Sequence, residues 1–170
     1  MYQAKLRKNM VVTPDVVSDG NLEEHESSRF RQKILIIDDS EFNRAILAEV
    51  LGGEFDILEA ENGKEGLEVL EQYERDISLV LLDIIMPVMD GFEVLGEMVN
   101  RNWIDDIPVI MISSEDSENI ICRAYEMGVS DYINRPFDTQ VVYRRVYNTI
   151  KLYAKQRRLI QLVTDQVYEK

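Results

Sequence analysis

Cysteine and histidine are almost missing from this chain: among 170 residues there is one of each, Cys122 and His25. A single cysteine excludes an internal disulfide framework, and a lone histidine in a polar stretch excludes a zinc site or a catalytic dyad built on imidazole. Both scarcities point to the cytoplasm. No run approaches the ~18 apolar residues of a membrane span, so a soluble, membrane-free protein is expected. The basic start, "MYQAKLRKNM", is not followed by an apolar segment, so no secretory signal is read there. Positive charge is scarce in the middle of the chain. Residues 34–150 hold eight basic and twenty-five acidic residues, a net of -17. Such a surface repels nucleic-acid phosphates and favours cations or basic proteins, although much of the acid is solvated helix face.

What is present is a regular alternation. Hydrophobic residues make up 45% of the chain, enough for one domain with a sizeable core. Residues 1–32 lack sustained periodicity and carry the turn signals Thr13-Pro14-Asp15 and Ser18-Asp19-Gly20-Asn21, so they read as a flexible leader. From Lys33 short apolar runs recur: "KILIID", "FDILEA" (Phe55–Ala60), "SLVLLD" (Ser78–Asp83), "PVIMIS" (Pro108–Ser113) and "VSDYIN" (Val129–Asn134). Helical patterns separate them. The first follows Ser40, the second follows Asn62, the third contains Phe92, Val94, Leu95 and Met98, and the fourth ends at Gly128. A fifth helix is expected to start near Asp138. Near-continuous apolar strands between helices predict an α/β domain: a doubly wound parallel sheet of five strands, covered on both faces, in the order 2-1-3-4-5.

In that arrangement ligands bind beyond the carboxyl ends of the strands. Asp38 and Asp39 end the first strand, Asp83 the third, Ser113 and Ser114 the fourth, and Asn134-Arg135-Pro136-Phe137 the fifth. Strands one and three are neighbours, so three carboxylates converge. They cannot all stay ionised without a counter-cation, and oxygen-only ligands suit a hard ion, Mg²⁺ above all. The hydroxyl of Ser113 and the fixed cation of Arg135 would complete a site for phosphoryl chemistry. Taken singly, Asp39 or Asp138 reads equally well as a helix cap; five strands each bringing a polar group to one rim do not read as caps.

From Lys33 to about Lys151 these residues resemble the receiver domain of two-component response regulators, a flavodoxin-like (βα)5 fold. The resemblance is carried by the acidic pair in "DDS", by "LLDIIMPVMDGFE", "PVIMISS" and "GVSDYINRPF". It implies that Asp83 is the phosphoacceptor. It implies Mg²⁺ ligation by Asp39, Asp83 and the carbonyl of Ile85, with Asp38 helping through water. Ser113 would be the switch hydroxyl, Tyr132 the aromatic that swings inward with it, and Pro136 the residue after a cis peptide bond. A phosphohistidine on a histidine kinase or phosphotransfer protein would be the donor. The face made by the fourth helix, the fifth strand and the fifth helix would respond. The domain would be a switch and not an enzyme, with self-phosphorylation and autodephosphorylation its only chemistry. Ile85 and Glu115, two positions after Asp83 and Ser113, occupy the places that tune the lifetime of the phosphoryl group in the family. Met86 and Met89 read as part of the receiver loop. Tyr132 read alone is also a core aromatic, and Cys122 is given no role.

Arg135 departs from the pattern, since the family normally has Lys there. A guanidinium is planar and bidentate where an ammonium is a point charge, so the coupling of phosphate to the switch is in question. This leaves a rival reading, a pseudo-receiver that binds partners without phosphate. An Mg²⁺-dependent phosphatase on a similar sheet would need an acid two residues after its nucleophile; Ile85 and Ser40 stand there instead.

No Pro or Gly occurs from Thr139 to Lys170, so the last helix is expected to run on as a 151–170 extension. Val146, Tyr153, Ile160 and Val167 recur every seven residues, but of Thr149, Gln156, Val163 and Lys170 only one is apolar: half a coiled-coil seam. The expectation is a homodimer through this helix or the switch face, and a signalling helix leading to an output domain outside this chain. Receivers with such tails resemble those in front of cyclic-dinucleotide enzymes.

Overall fold

The strands alternate their buried side chains between two separate cores, and this period of two places the helices. The structure is a computed structural model and describes residues 31–168. The leader expected over 1–32 therefore lies outside the described residues, except for Arg31 and Gln32. Five strands, β1 (Lys33–Ile37), β2 (Asp56–Ala60), β3 (Ile77–Leu82), β4 (Val109–Ser113) and β5 (Asp131–Asn134), form one all-parallel sheet in the order β2-β1-β3-β4-β5. The helices are α1 (Glu41–Leu51), α2 (Gly63–Tyr73), α3 (Gly91–Asn100), a single turn α4 (Trp103–Asp106), α5 (Glu118–Glu126) and α6 (Thr139–Tyr168). The predicted flavodoxin-like architecture and strand order are what is found.

Leu35, Ile37, Val80, Leu82, Val109 and Met111 face one core with Leu67, Leu70, Leu95 and Met98 of α2 and α3. Ile34, Ile36, Leu79, Leu81, Ile110 and Ile112 face the other, with Leu47 and Leu51 of α1 and Val142, Val146 and Ile150 of α6. Each buried Leu or Ile contributes about 1.5–3 kcal/mol by leaving water, and both faces of the central strands collect it. Among the described residues no helix is long and apolar enough to cross a membrane.

The caps follow the sequence. Ser40 Oγ accepts from the Asn43 N–H, and the Asn62 side chain accepts from the Glu65 N–H. Asp138 Oδ1 accepts from the N–H groups of Gln140 and Val141 at the start of α6. Gly128, after α5, has φ +99, a conformation that costs glycine nothing. Strand ends moved inward: β4 begins after Pro108, which has no N–H for the ladder, and β5 begins at Asp131. The turn α4 was not expected. Asn102 enters it in the left-handed region (φ 59), Trp103 is buried beneath, and the Arg101 guanidinium lies 4.8 Å from its ring. The fourth and fifth helices of the sequence reading are thus α5 and α6.

α6 has 30 residues, about 45 Å of helix. Ile150 is the last of its described side chains to be buried, and Ala154 to Asp165 are all exposed. This redraws the seven-residue stripe. Val146 is fully buried in the domain's own core and the Tyr153 hydroxyl lies 3.0 Å from Ser130 Oγ, so the first two members of the seam already have partners. Among the described residues Leu152, Leu159, Ile160, Leu162 and Val163 are large apolar side chains left exposed on this part of the helix.

Candidate functional site

The ladder between β1 and β3 delivers the acids. Ile37 pairs with Leu82, and the next residues continue the pattern: the Asp83 N–H donates to the Ile37 carbonyl (2.9 Å) and the Asp38 N–H to the Ala60 carbonyl (3.1 Å). Asp38 and Asp83 are thus held by backbone at the end of a rigid sheet. Carboxylate oxygens of Asp38, Asp39 and Asp83 all lie within 4.8 Å of one another. Asp38 and Asp83 are buried, whereas Asp39 is exposed.

Each acid has its own surroundings. Asp38 Oδ1 accepts from the Ser40 N–H (2.9 Å) and from Asn43 Nδ2 (3.3 Å), and its Oδ2 takes a short contact from the Arg135 guanidinium. Asp83 Oδ1 accepts from the Ile84 N–H (2.8 Å). Burial pushes the Asp83 carboxyl up to about 6; Arg135 pulls it down, Asp38 pushes it further up, the Ile84 N–H lowers it and Asp39 raises it. Asp83 is therefore a carboxylate short of compensating charge, ionised at neutral pH but not far from its titration point.

The other predicted residues stand around this cluster. Ser113 is fully buried at the end of β4, with its Oγ accepting from the Glu115 N–H (3.3 Å). Tyr132 is buried and donates its hydroxyl to the Glu115 carbonyl (2.6 Å); burial lifts that phenol above its ordinary value. The Arg135 N–H donates to the Ser113 carbonyl (2.8 Å), which aligns the β5 end with β4, and the Arg135–Pro136 bond is cis. Arg135 Nε is buried and has no hydrogen-bond partner among the described residues. An orphaned cationic donor beside three carboxylates is a position prepared for an anion. Ile85, in the loop after Asp83, is half exposed.

The donor set fits the divalent cation that the sequence suggested. Three carboxylates with no nitrogen or sulfur ligand suit a hard ion.

Sequence reasoning missed two residues here. Asn43 holds Asp38, as above. Arg44 spans the Asp38 carbonyl (2.6 Å) and Glu59 Oε2 (3.2 Å), in a largely buried ion pair that ties β2 to the site. The signal was available: "DDSEFNR" puts both side chains on the first turn of α1, directly above the acids.

The loop from Asp83 to Gly91 carries one strained residue. Val88 has φ 71, a region that a β-branched side chain occupies at a cost of about 1–2 kcal/mol, and its side chain is 78% exposed, so it gains nothing from packing. Val88→Asn is expected to raise stability by about 1 kcal/mol in urea unfolding, because Asn tolerates this region. Val88→Ala loses the β-branch but has no amide to bond its own backbone, and should gain less. Equal midpoints for the parent and the Asn variant would show that the loop carries no such strain.

A doubly wound sheet with three converging acids, a buried hydroxyl and a basic residue at its carboxyl rim defines a class of signalling domain. The family model for the response regulator receiver domain matches residues 34–147, and the chain belongs to that family. It is 39% identical over 107 residues to the chemotaxis protein CheY of Halobacterium salinarum, covering 62% of this chain and 86% of that one. It is 35% identical over 124 residues to the sensor histidine kinase CheAY of Helicobacter pylori, covering 72% of this chain but only 15% of the longer relative. Among solved structures, the CheX–CheY complex with BeF3 and Mg²⁺ from Borrelia burgdorferi aligns with TM-score 0.67 and 29% identity, covering 72% of this chain and 92% of that one. CheY4 of Vibrio cholerae aligns with TM-score 0.64 and 22% identity over 69% of this chain and 98% of that one, a likeness of fold.

Proposed function

We propose that this receiver accepts a phosphoryl group on Asp83 from a phosphohistidine of a sensor histidine kinase or phosphotransfer protein. The single observation that carries the reading is the cluster itself: carboxylates from β1 and β3 within 4.8 Å, beside a cation with an unsatisfied buried donor. The Asp83 carboxylate oxygen attacks phosphorus; a P–O bond forms, the P–N bond breaks, and the imidazole nitrogen keeps the electron pair. Asp38, Asp39 and Asp83, with the Ile85 carbonyl, would hold Mg²⁺, which when bound neutralises charge gathering on the phosphoryl oxygens. The free Nε of Arg135 offers a hydrogen bond to one of those oxygens. Ser113 Oγ exchanges its weak contact with the Glu115 N–H for the phosphoryl group, and Tyr132 follows, reshaping the α5-β5-α6 face. In this reading the domain is a cytoplasmic regulator and not an enzyme. Residues 33–150 are the receiver and the 151–170 extension is a signalling helix. Two copies associate through the exposed stripe of α6 or through the switch face, and the helix leads to an output domain.

One observation favours the pseudo-receiver reading. Arg135 already grips Asp38, so a ligand carboxylate is engaged by the protein itself. Intact-protein mass after incubation with acetyl phosphate, with Mg²⁺ or with chelator, separates the two. The expected result is one phosphoryl adduct that requires Mg²⁺. No adduct on folded protein would leave a phosphorylation-independent binding module. With an Arg135→Lys variant in parallel, a changed rate or adduct lifetime is expected, since guanidinium and ammonium are not interchangeable in a charge-dense pocket. Identical values would remove Arg135 from the coupling.

A further inference from the structure

We propose that Arg145 and Tyr153 form a two-point clasp that ties the long helix α6 to the switch strand β5, with Arg145 the positioning residue that carries the state of Tyr132 into the tail. The inference rests on the phosphoryl-switch reading above.

Three consecutive residues at the start of β5 make the contacts. Arg145 donates from one guanidinium nitrogen to Asp131 Oδ1 (2.9 Å) and Oδ2 (3.1 Å), and to the backbone carbonyl of Tyr132 (3.3 Å). Two turns further along α6, the Tyr153 hydroxyl meets Ser130 Oγ at 3.0 Å. Ser130 is itself pinned to the sheet by its N–H to the Val109 carbonyl (2.8 Å). The α5 side joins through the Tyr125 hydroxyl, which donates to the same Asp131 oxygen at 3.4 Å. The clasp therefore gathers α5, β5 and α6 around Asp131.

Its position gives it a function beyond holding the fold. Apolar burial of α6 ends at Ile150, and from Ala154 the described helix is exposed through Asp165. Among the described residues Tyr153–Ser130 is the last hydrogen bond between the helix and the rest of the domain, and a small change there is lengthened along the exposed turns. At the other end, Tyr132 is shared. Its carbonyl accepts from Arg145 while its hydroxyl donates to the Glu115 carbonyl, two residues from Ser113. Residues Ser113, Glu115, Tyr132, Arg145 and α6 make one contiguous chain of contacts from the phosphoryl site to the tail. When Tyr132 gives up Glu115, the β5 backbone that Arg145 grips is released from one of its restraints.

The strength is right for a link that must change. Arg145 and Asp131 are both partly open to water, so the pair is screened and holds only weakly. The core contacts of Val142, Val146 and Ile150 keep α6 folded on the sheet whichever way the clasp stands. Coupling evidence, and not adjacency, decides such a route.

The test is hydrogen exchange across the whole chain, with and without beryllofluoride plus Mg²⁺ as a phosphoryl mimic, for the parent, Arg145→Ala, Arg145→Lys and Tyr153→Phe. In the parent the mimic is expected to protect the segments around Asp83 and to change exchange of residues 150–165 by about fivefold. Arg145→Ala should keep the protection around Asp83 and reduce the tail response to less than about twofold. Arg145→Lys, whose single ammonium can restore the pairing with Asp131 but not the full set of contacts that the Arg145 nitrogen makes, should recover part of it. Tyr153→Phe, which removes a single hydroxyl and leaves the packing, should also diminish the response, and so guards against a variant that merely frays the helix. A purely structural role would shift exchange equally with and without the mimic, and that result overturns the proposal. So does a full-sized tail response in Arg145→Ala and Tyr153→Phe, or a parent that protects Asp83 while its tail stays unchanged. A parent without protection around Asp83 overturns the phosphoryl reading together with this one.

Discussion

Asp83→Asn is expected to abolish phosphoryl incorporation from acetyl phosphate and, in chelator, to make the folded protein more stable than the parent. The first effect follows from removing the nucleophilic oxygen. An amide does not form the acyl phosphate, and the other buried carboxylate among the described residues, Asp38, is already engaged by the Ser40 N–H, Asn43 and Arg135. An adduct of undiminished size in this variant would move the acceptor elsewhere. The second effect follows from the environment of the carboxylate. Its affinity for a proton is raised from the ordinary 3.8 to about 6, first by burial. The folded state therefore binds this proton more tightly than the unfolded state does. Below about pH 4 both states are protonated and the group is neutral in its effect. As pH rises from about 4 to 6 the unfolded chain loses the proton first, and stability falls. Above 6 the full penalty is present, about 2–3 kcal/mol at ~1.4 kcal/mol per tenfold change in proton affinity. Asn carries no charge and escapes it. The stability difference between variant and parent in urea should thus be near zero at pH 4 and reach its full size by pH 7. A difference that does not change with pH would mean that Asp83 is not held short of charge. Mg²⁺ should shrink the advantage, since a bound cation supplies what the site lacks.

Gly91→Ala should be the most damaging single methyl in the domain. Asp90 and Glu93 form a reciprocal cap at the start of α3, so this backbone is fixed from both sides. The Gly91 N–H donates to the Ile84 carbonyl at 2.8 Å, which draws α3 directly against the residues that follow β3. A Cβ there would collide with the Asp83 carbonyl oxygen and sit 2.9 Å from Ile84 Cα. Both obstacles are backbone, and backbone cannot turn aside as a side chain does. A loss of about 3 kcal/mol or more is expected in urea unfolding. Relief requires the start of α3 and the Asp83 segment to move apart, so phosphorylation should fall as well, by as much as ~10²-fold for a displacement of Asp83 near 1 Å. Gly66→Ala gives the comparison. There the three atoms nearest the new methyl all belong to the Ile37 side chain, with Cγ1 at 3.0 Å and Cγ2 at 3.2 Å; that buried side chain must repack but no backbone is struck, so the cost should be smaller and phosphorylation nearly preserved. Equal losses in the two variants would refute the distinction between backbone and side-chain obstruction.

Much of this was legible in the residues alone. The runs Ile34–Ile37, Leu79–Leu82 and Val109–Ile112 could only be buried strands, and the helical patterns between them required a parallel sheet covered on both faces. Once that sheet is accepted, Asp38 and Asp83 must meet, because both follow neighbouring strands. The caps at Ser40, Asn62 and Asp138 were equally local, each a short side chain reaching its own backbone. The turn at Trp103 was not legible, since four residues carry no periodicity. Neither was the use of Arg44, whose partners Glu59 and the Asp38 carbonyl are brought to it by β2 and β1.

The tail shows where a sequence pattern stops. A seven-residue repeat from Val146 to Val167 states that one helical stripe is apolar, but not what covers it. Packing decided that Val146 belongs to the domain core and Tyr153 to Ser130, leaving Ile160 exposed. The same division holds at the site. The acidic residues and their places at strand ends are properties of the chain, since strand length and alternation are local. That Arg135 grips Asp38, that its Nε is left buried without a partner, and that Asp83 is held near pH 6 depend on how far each group lies from the others and from water, and those distances exist only once the sheet has closed its two cores.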